Sequence, residues 1–197
     1  MAFETRQSLR KAFRNKRLSL SNEEQTKAAL GLVQQYQQNT LFQGAQNVAL
    51  YLSFNGEIDT QPLIEYLWLL KRNVFVPILH PFCKGHLLFQ EFSQHTKMGK
   101  NRFGISEPTL DVQRVCPLQN LNVICTPLVA FDLQGNRLGM GGGFYDRTLA
   151  CLKNKESKPL QALVGLAHEM QLTNALPTET WDIGLPYVLT SNKLYCF

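Results

Sequence analysis

Between Asp132 and Arg147 the chain reads DLQGNRLGMGGGFYDR. Gly139, Gly141, Gly142 and Gly143 place four glycines within five residues, flanked by Arg137, Asp146 and Arg147. Glycines let backbone N–H groups approach an anion without a side chain in the way. An arginine such as Arg137 reaches phosphate oxygens with a charged fork. A carboxylate such as Asp146 suits Mg²⁺, which takes carboxylate together with phosphate oxygens. The stretch lacks Gly-Lys-Ser/Thr and is therefore not a Walker A loop. Position 144, where a dinucleotide fingerprint carries its third Gly or Ala, is Phe. The pattern points to a phosphate-binding bend. The alternative is a glycine turn with a purely structural job, in which Arg147 serves as an ion-pair partner.

Such a bend needs a strand before it and a helix after it. Val123–Phe131 reads as a central strand, with Pro127 marking its end or a bulge. A helix is expected from Phe144 to about Leu152. Parallel sheets bind ligands beyond the carboxyl ends of their strands, and a helix N-terminus adds roughly half a positive charge there. Upstream, Val48–Phe54 and Val74–Leu79 read as strands. Between them a helix starts at Thr60 and Pro62, runs to about Leu70 and stops at Asn73. That βαβ order implies a parallel sheet. Leu87–Phe92, Leu160–Leu166 and Tyr187–Leu189 are further strand candidates, with loops expected at 98–108 and Lys153–Pro159. Ser21 and Glu24 form a capping-box pair ahead of a helix over 22–38. The expected fold is one three-layer α/β/α domain over residues 1–197 with a mostly parallel, Rossmann-like sheet, as in sugar-phosphate isomerases and CoA transferases. Residues 1–40 form a basic helical segment packed outside an α/β core over 45–197.

The net charge of +5 is concentrated at one end. Residues 1–17 hold six basic groups against one acid, and the remaining 180 carry 14 of each sign. On a helix Arg6, Arg10, Arg14 and Arg17 share an arc of about 80°, with Leu9 and Phe13 on its flank. Such an arc is a solvated face, an anion clamp or a nucleic-acid contact. The neutral remainder and the lack of interleaved aromatics argue against nucleic acid. No apolar run approaches the ~20 residues of a bilayer span, and no secretory leader is expected. Five widely spaced cysteines without a C-x-x-C suggest reduced thiols in a cytoplasmic protein rather than disulfides or zinc.

The segment LGMGGGFYDRTL after PLVAFD closely resembles the signature of the 5-formyltetrahydrofolate cyclo-ligase family. The resemblance extends over nearly the whole chain. Arg6–Arg10 resembles that family's basic nucleotide-binding helix, and LSFNGEIDT (52–60) its folate-binding turn. FGISEP (103–108) resembles its aromatic-Gly-Ile-x-Glu-Pro loop, and LPTETWD (176–182) its L-P-x-E-x-x-D segment. Arg6 stands where the family often has Lys, and Met140 where some members carry charge.

The resemblance implies conversion of 5-formyltetrahydrofolate to 5,10-methenyltetrahydrofolate with ATP and Mg²⁺, by a monomer. It implies ATP binding by Arg6, Arg10, Arg137, Gly139, Gly141, Gly142, Gly143, Phe144 and Tyr145. Arg137 and Tyr145 would act in catalysis, and Asp146 and Asp182 would hold Mg²⁺. Ser53, Glu57, Phe103 and Met140 would meet the folate. Read from the residues alone, the alternatives are that Glu57 is an exposed turn residue, Asp182 a turn cap and Phe103 a core side chain. A sugar-phosphate isomerase on a similar sheet is the competing enzyme reading.

Overall fold

The computed structural model describes residues 5–153 and 162–197. The loop expected at Lys153–Pro159 falls, apart from its first residue, outside the described residues, as do Leu160 and Gln161 of the strand expected at Leu160–Leu166. The described elements run α1 (Arg6–Leu18), α2 (Asn22–Gln38), β1 (Asn47–Ala49), α3 (Gln61–Leu69), β2 (Asn73–Leu79) and β3 (Leu87–Glu91). They continue β4 (Met98–Lys100), β5 (Ser106–Pro108), β6 (Val115–Cys116), β7 (Val123–Pro127), β8 (Ala130–Asp132) and β9 (Arg137–Leu138). The chain closes with α4 (Phe144–Leu149), β10 (Ala162–Leu166), β11 (Leu172–Thr173), β12 (Tyr187–Leu189) and β13 (Leu194–Cys196).

The main sheet has the order β13-β12-β10-β7-β1-β2-β3-β6. β12, β10, β7, β1 and β2 are mutually parallel, and β13, β3 and β6 extend the edges antiparallel. Side chains alternate between its two faces, as a pleated strand requires. Val48, Val74, Val123 and Val164 pack against Leu32 and Tyr36 of α2 and Leu63, Ile64 and Leu67 of α3. Ala49, Phe75, Ile124 and Leu163 face the opposite way, towards Leu149 of α4 and Phe131 of β8. That second face is closed by one short helix and a three-stranded sheet of order β11-β8-β9. Helix α2 is thus part of a core layer, whereas α1 lies outside the layers, with Leu9 and Phe13 seated on Val129, Ala130, Leu138 and Leu176.

Several elements are shorter or differently bounded than the pattern suggests. The run 48–54 keeps ladder geometry only to Ala49, with Leu50 N–H donating to the Phe75 carbonyl. Beyond it the Tyr51 carbonyl accepts from the Thr60 hydroxyl at 2.5 Å, an alternative to sheet pairing. The run 123–131 splits because Pro127 has no N–H to donate, and β8 turns into the small sheet. Lys71, with φ of 54°, marks the end of α3, and Asn73 already belongs to β2. The expected loop at 98–108 is a hairpin, β4 on β5. Asn101 Oδ1 organises its tip by accepting from the N–H groups of Phe103 and Ile105.

Asp132 orders the hairpin that delivers Arg137 and Gly139. Fully buried, it accepts from the backbone N–H groups of Gln134, Asn136 and Leu176 and from the Asn136 amide, at 2.9–3.0 Å. Removing it strands several donors in the interior. Asp132→Ala is expected to lower the unfolding free energy by about 2–4 kcal/mol in a urea titration. A loss within ~0.5 kcal/mol, the range of an ordinary surface change, would show that the hairpin holds itself.

Candidate active site

A cavity of about 500 Å³ opens beyond the carboxyl ends of β1, β2 and β7, within the range of small-molecule sites. Tyr51, Leu52 and Glu57 line one side, and Leu79 and Pro127 the strand ends. Asn101, Phe103 and Glu107 of the β4–β5 hairpin line another, and Arg137, Gly139, Met140 and residues 142–146 a third, without Gly141. The fold thereby brings together Arg137, Gly139, Met140, Gly142, Gly143, Phe144, Tyr145, Asp146, Glu57 and Phe103. Ser53 is not among the lining residues, and its hydroxyl donates to Asp59 at 3.2 Å.

The glycine bend forms two kinds of surface. Gly143 caps α4 in the left-handed region at φ 63°, and a Cβ there would meet Arg147 Nη1 at 2.8 Å, so local packing explains the residue. Gly139 is different, because nothing lies within 4 Å of the place its Cβ would take. Its missing side chain leaves open space at the cavity wall. Arg147 pairs with no carboxylate among the described residues. It donates to the carbonyls of Gly142 and, at 3.0 Å, Gly85, and so fixes the bend to the β2–β3 connection. The helix that follows has only six residues, shorter than the expected run to Leu152.

Helix α1 lies directly over this bend. Arg10 Nε donates to the Gly139 carbonyl at 2.8 Å, and the Arg10 guanidinium sits over Gly141. Arg6 makes a two-pronged contact with Asp182, at 2.5 and 3.0 Å, and also reaches the Pro177 carbonyl. Burial opposes ionisation of Asp182, but the Arg6 hydrogen bond, the Glu179 N–H and the Arg6 charge hold its pKa below the usual range. Arg17, expected on the solvated arc, is only 1% exposed. It follows Leu9 and Phe13 at intervals of four, so the apolar stripe carried the signal of its burial.

Arg137 is 7% exposed and donates to the Ile183 carbonyl at 2.6 Å and to Asp146 Oδ1 at 2.7 Å. Asp146 also accepts the Ile183 N–H, at 3.2 Å, and lines the cavity. Among the described residues no cluster of three or more His, Cys, Asp or Glu side chains could hold a metal. Mg²⁺ does not need one, since it is commonly held by one or two carboxylates plus substrate phosphates and water. Asp146 fits that role. The oxygens of Asp182 are engaged by Arg6 and the Glu179 N–H, and Asp182 does not line the cavity.

Glu57 is buried, accepts the Phe54 N–H at 3.0 Å and lies 3.7 Å from Arg17. Burial pushes its pKa up to about 7, against the pull of Arg17 and that N–H. Tyr145 is half-buried, its hydroxyl is enclosed and unpartnered, and desolvation raises its pKa strongly. Phe103 is 55% exposed and meets Phe144 edge to face at 5.9 Å, so it is a wall of the cavity and not a core side chain. Glu107 and Asn101, which composition alone did not single out, brace this wall. Glu107 Oε2 accepts from Leu79 N–H and from the Asn101 amide.

A cavity at the strand ends, walled by aromatics and bordered by an arginine helix on a glycine bend, has the form of a small-molecule site in an α/β enzyme. A sequence profile of the 5-formyltetrahydrofolate cyclo-ligase family matches residues 2–191. The chain is 48% identical over 192 residues to the 5-formyltetrahydrofolate cyclo-ligase of Haemophilus influenzae, covering 94% of this chain and 97% of that one. It is 52% identical over 151 residues to that of Escherichia coli, covering 77% and 81%. The NMR structure of 5,10-methenyltetrahydrofolate synthetase from Aquifex aeolicus superposes with a TM-score of 0.79 at 29% identity, over 97% of this chain and 92% of that one. The synthetase of Mycoplasma pneumoniae shares the fold, with a TM-score of 0.72 at 22% identity over 95% and 99%. The chain belongs to the 5-formyltetrahydrofolate cyclo-ligase family.

Two buried groups give this enzyme opposing pH dependences. Glu57 titrates near 7 in the fold against 4.5 when free, so its contribution to stability is full below 4.5 and lost as pH rises through 7. Burial lowers His168 to about 4 from 6.5, so its contribution is full above 6.5 and lost as pH falls through 4. In Glu57→Gln only the second remains. Denaturant titrations between pH 4.5 and 7 are expected to show the variant losing stability on acidification more steeply than the native chain. Parallel curves would mean that Glu57 ionises normally in the fold.

Proposed function

We propose that this enzyme converts 5-formyltetrahydrofolate to 5,10-methenyltetrahydrofolate, consuming ATP with Mg²⁺ and releasing ADP and phosphate. The contact of Arg10 with the Gly139 carbonyl carries this reading. It sets the basic helix at the glycine bend and within reach of the cavity that holds Glu57, so one site can take both a phosphate chain and a flat heterocycle. The profile match and the cyclo-ligase relatives support it.

The formyl group on N5 is amide-like, and its oxygen is a poor leaving group. ATP supplies the phosphoryl group that makes this oxygen leave, and Mg²⁺ held by Asp146 offsets phosphate charge. N10 then closes on the formyl carbon and loses its proton, and phosphate departs. The protein's task is alignment and neutralisation of charge.

Glu57 accepts from the ring N–H and amino groups of the pterin. The Phe103–Phe144 corner gives the flat ring a stacking face, and Met140 lies beside it. Ser53 serves through Asp59, the neighbour of that turn. The backbone at Gly139, Gly141, Gly142 and Gly143, with Phe144, encloses the phosphates. Arg10 neutralises them from above, and Arg6 does so from a position fixed by Asp182. Arg137, held by Asp146 and the Ile183 carbonyl, aims its remaining donors at the transferred group. The unpartnered Tyr145 hydroxyl donates to the reacting oxygen.

No helix among the described residues is long and apolar enough to cross a membrane, in keeping with a cytoplasmic enzyme. Inward contacts of Arg6, Arg10 and Arg17 leave little of the basic arc for a nucleic acid.

Growth of the methenyl absorbance from 5-formyltetrahydrofolate and MgATP tests the reading, and no increase over an ATP-free control would refute it. Arg10→Gln is expected to raise the KM for ATP by roughly 10–100-fold, the loss of one charged contact, with little change in the folate KM. Asp146→Ala is expected to cut kcat by at least ~100-fold at ordinary Mg²⁺ while the protein stays folded. Retained turnover would assign the metal to another carboxylate.

A further inference from the structure

Arg17 touches neither substrate in the reading above, yet it is the most enclosed cation of the basic helix. Its Nε donates to the Asn55 carbonyl at 2.8 Å and its Nη1 to the Leu128 carbonyl at 3.2 Å. Its Nη2 lies 3.7 Å from Met140 Sδ and 3.7 Å from Glu57 Oε1. One guanidinium thus joins the β1–α3 turn, the segment after β7 and the glycine bend. The turn is seated on the end of α1. Gly56, at φ 72°, would place a Cβ 2.9 Å from the Arg17 carbonyl oxygen, and Gln25 donates to the Gly56 carbonyl at 3.3 Å.

We infer that Arg17 is a positioning residue that joins the two substrate sites, fixing the helix of Arg10 against the bend while holding Glu57 as a carboxylate at the folate side. The inference rests on the proposed cyclo-ligase reading, which gives the pterin to Glu57. A rigid fork is needed, because the two carbonyls and the carboxylate lie in different directions and an ammonium cannot span them. The groups facing Glu57 are Arg17 from α1, Tyr51 after β1 and Tyr145 from α4. Arg14 and His168 face Arg17 itself. Among the described residues only Arg17 brings positive charge within 4 Å of that carboxylate. Without it, a carboxyl that already resists ionisation does so further, and folate binding moves to higher pH.

The test is kcat/KM for 5-formyltetrahydrofolate against pH, with both KM values, in the native enzyme, Arg17→Met, Arg17→Lys and Glu57→Gln. An inactive native enzyme would remove the cyclo-ligase reading itself. With the native enzyme active, its folate profile is expected to rise with pH and level off above about 7. In Arg17→Met the break moves up by about one unit or more, and both KM values rise roughly tenfold while kcat changes less. Arg17→Lys returns the break towards the native pH, because charge is restored, but leaves both KM values raised, because the fork is not. An unmoved break in a folded Arg17→Met, or a fall in kcat with both KM values unchanged, would overturn the inference. Should Arg17→Met fail to fold, Arg17→Lys and Glu57→Gln decide. A native KM for both substrates in the former, or a surviving break in the latter, overturns it equally.

Discussion

Burying a guanidinium costs several kcal/mol unless its donors are met and its charge is opposed. Arg17 meets that demand with two carbonyls and a nearby carboxylate, each from chain far from α1 in sequence. The same contacts decide where α1 can lie. With its end held on the 55–57 turn, and with Leu9 and Phe13 on the β8–β9 hairpin, the helix has one seat. Arg10 then falls on Gly139 and Arg6 on Asp182. The positions of Arg6 and Arg10 at the site follow from this docking.

The site is built so that charges arrive in held pairs. Arg6 with Asp182 and Arg137 with Asp146 are both close, partly buried contacts. Each arginine is oriented by its acid, and each pair also engages backbone of the 177–183 segment. That segment ties α1, β9 and α4 to one another. Charges fixed by their partners in this way are pre-organised and need little rearrangement when charge develops nearby. The rest of the cavity has a different character, with aromatic walls, unpartnered phenol groups and one carboxyl that burial keeps reluctant to ionise.

Much of this was legible in local patterns. The glycine run and its flanking Arg137 and Asp146 pick out, by composition alone, residues that the fold gathers at the cavity. Ser21 and Glu24 form the capping box expected of them, and the βαβ order around residues 48–79 produces the parallel pairing of β1 with β2. Legibility fails where a residue's role depends on what approaches it from elsewhere. Arg17 reads as one more solvated arginine until Asn55 and Leu128 surround it. Asp182, which the resemblance gives to Mg²⁺, is paired with Arg6 from the far end of the chain. Ser53 sits in the folate motif but turns towards Asp59. The hairpin at 98–108 is set by Asn101 and a glycine turn, not by apolar alternation, so no strand period announces it.

By itself, the amino-acid order determined the helices, the parallel sheet and the family, because propensity, period and motif are local properties. Only tertiary structure decided which arginines turn inward, which acid is paired with Arg6, and that Glu57 lies beside Arg17. Those outcomes turn on burial and on partners more than 100 residues away, as with Arg17 and Leu128. Desolvation and charge pairing act through space, so they have no counterpart in spacing along the chain.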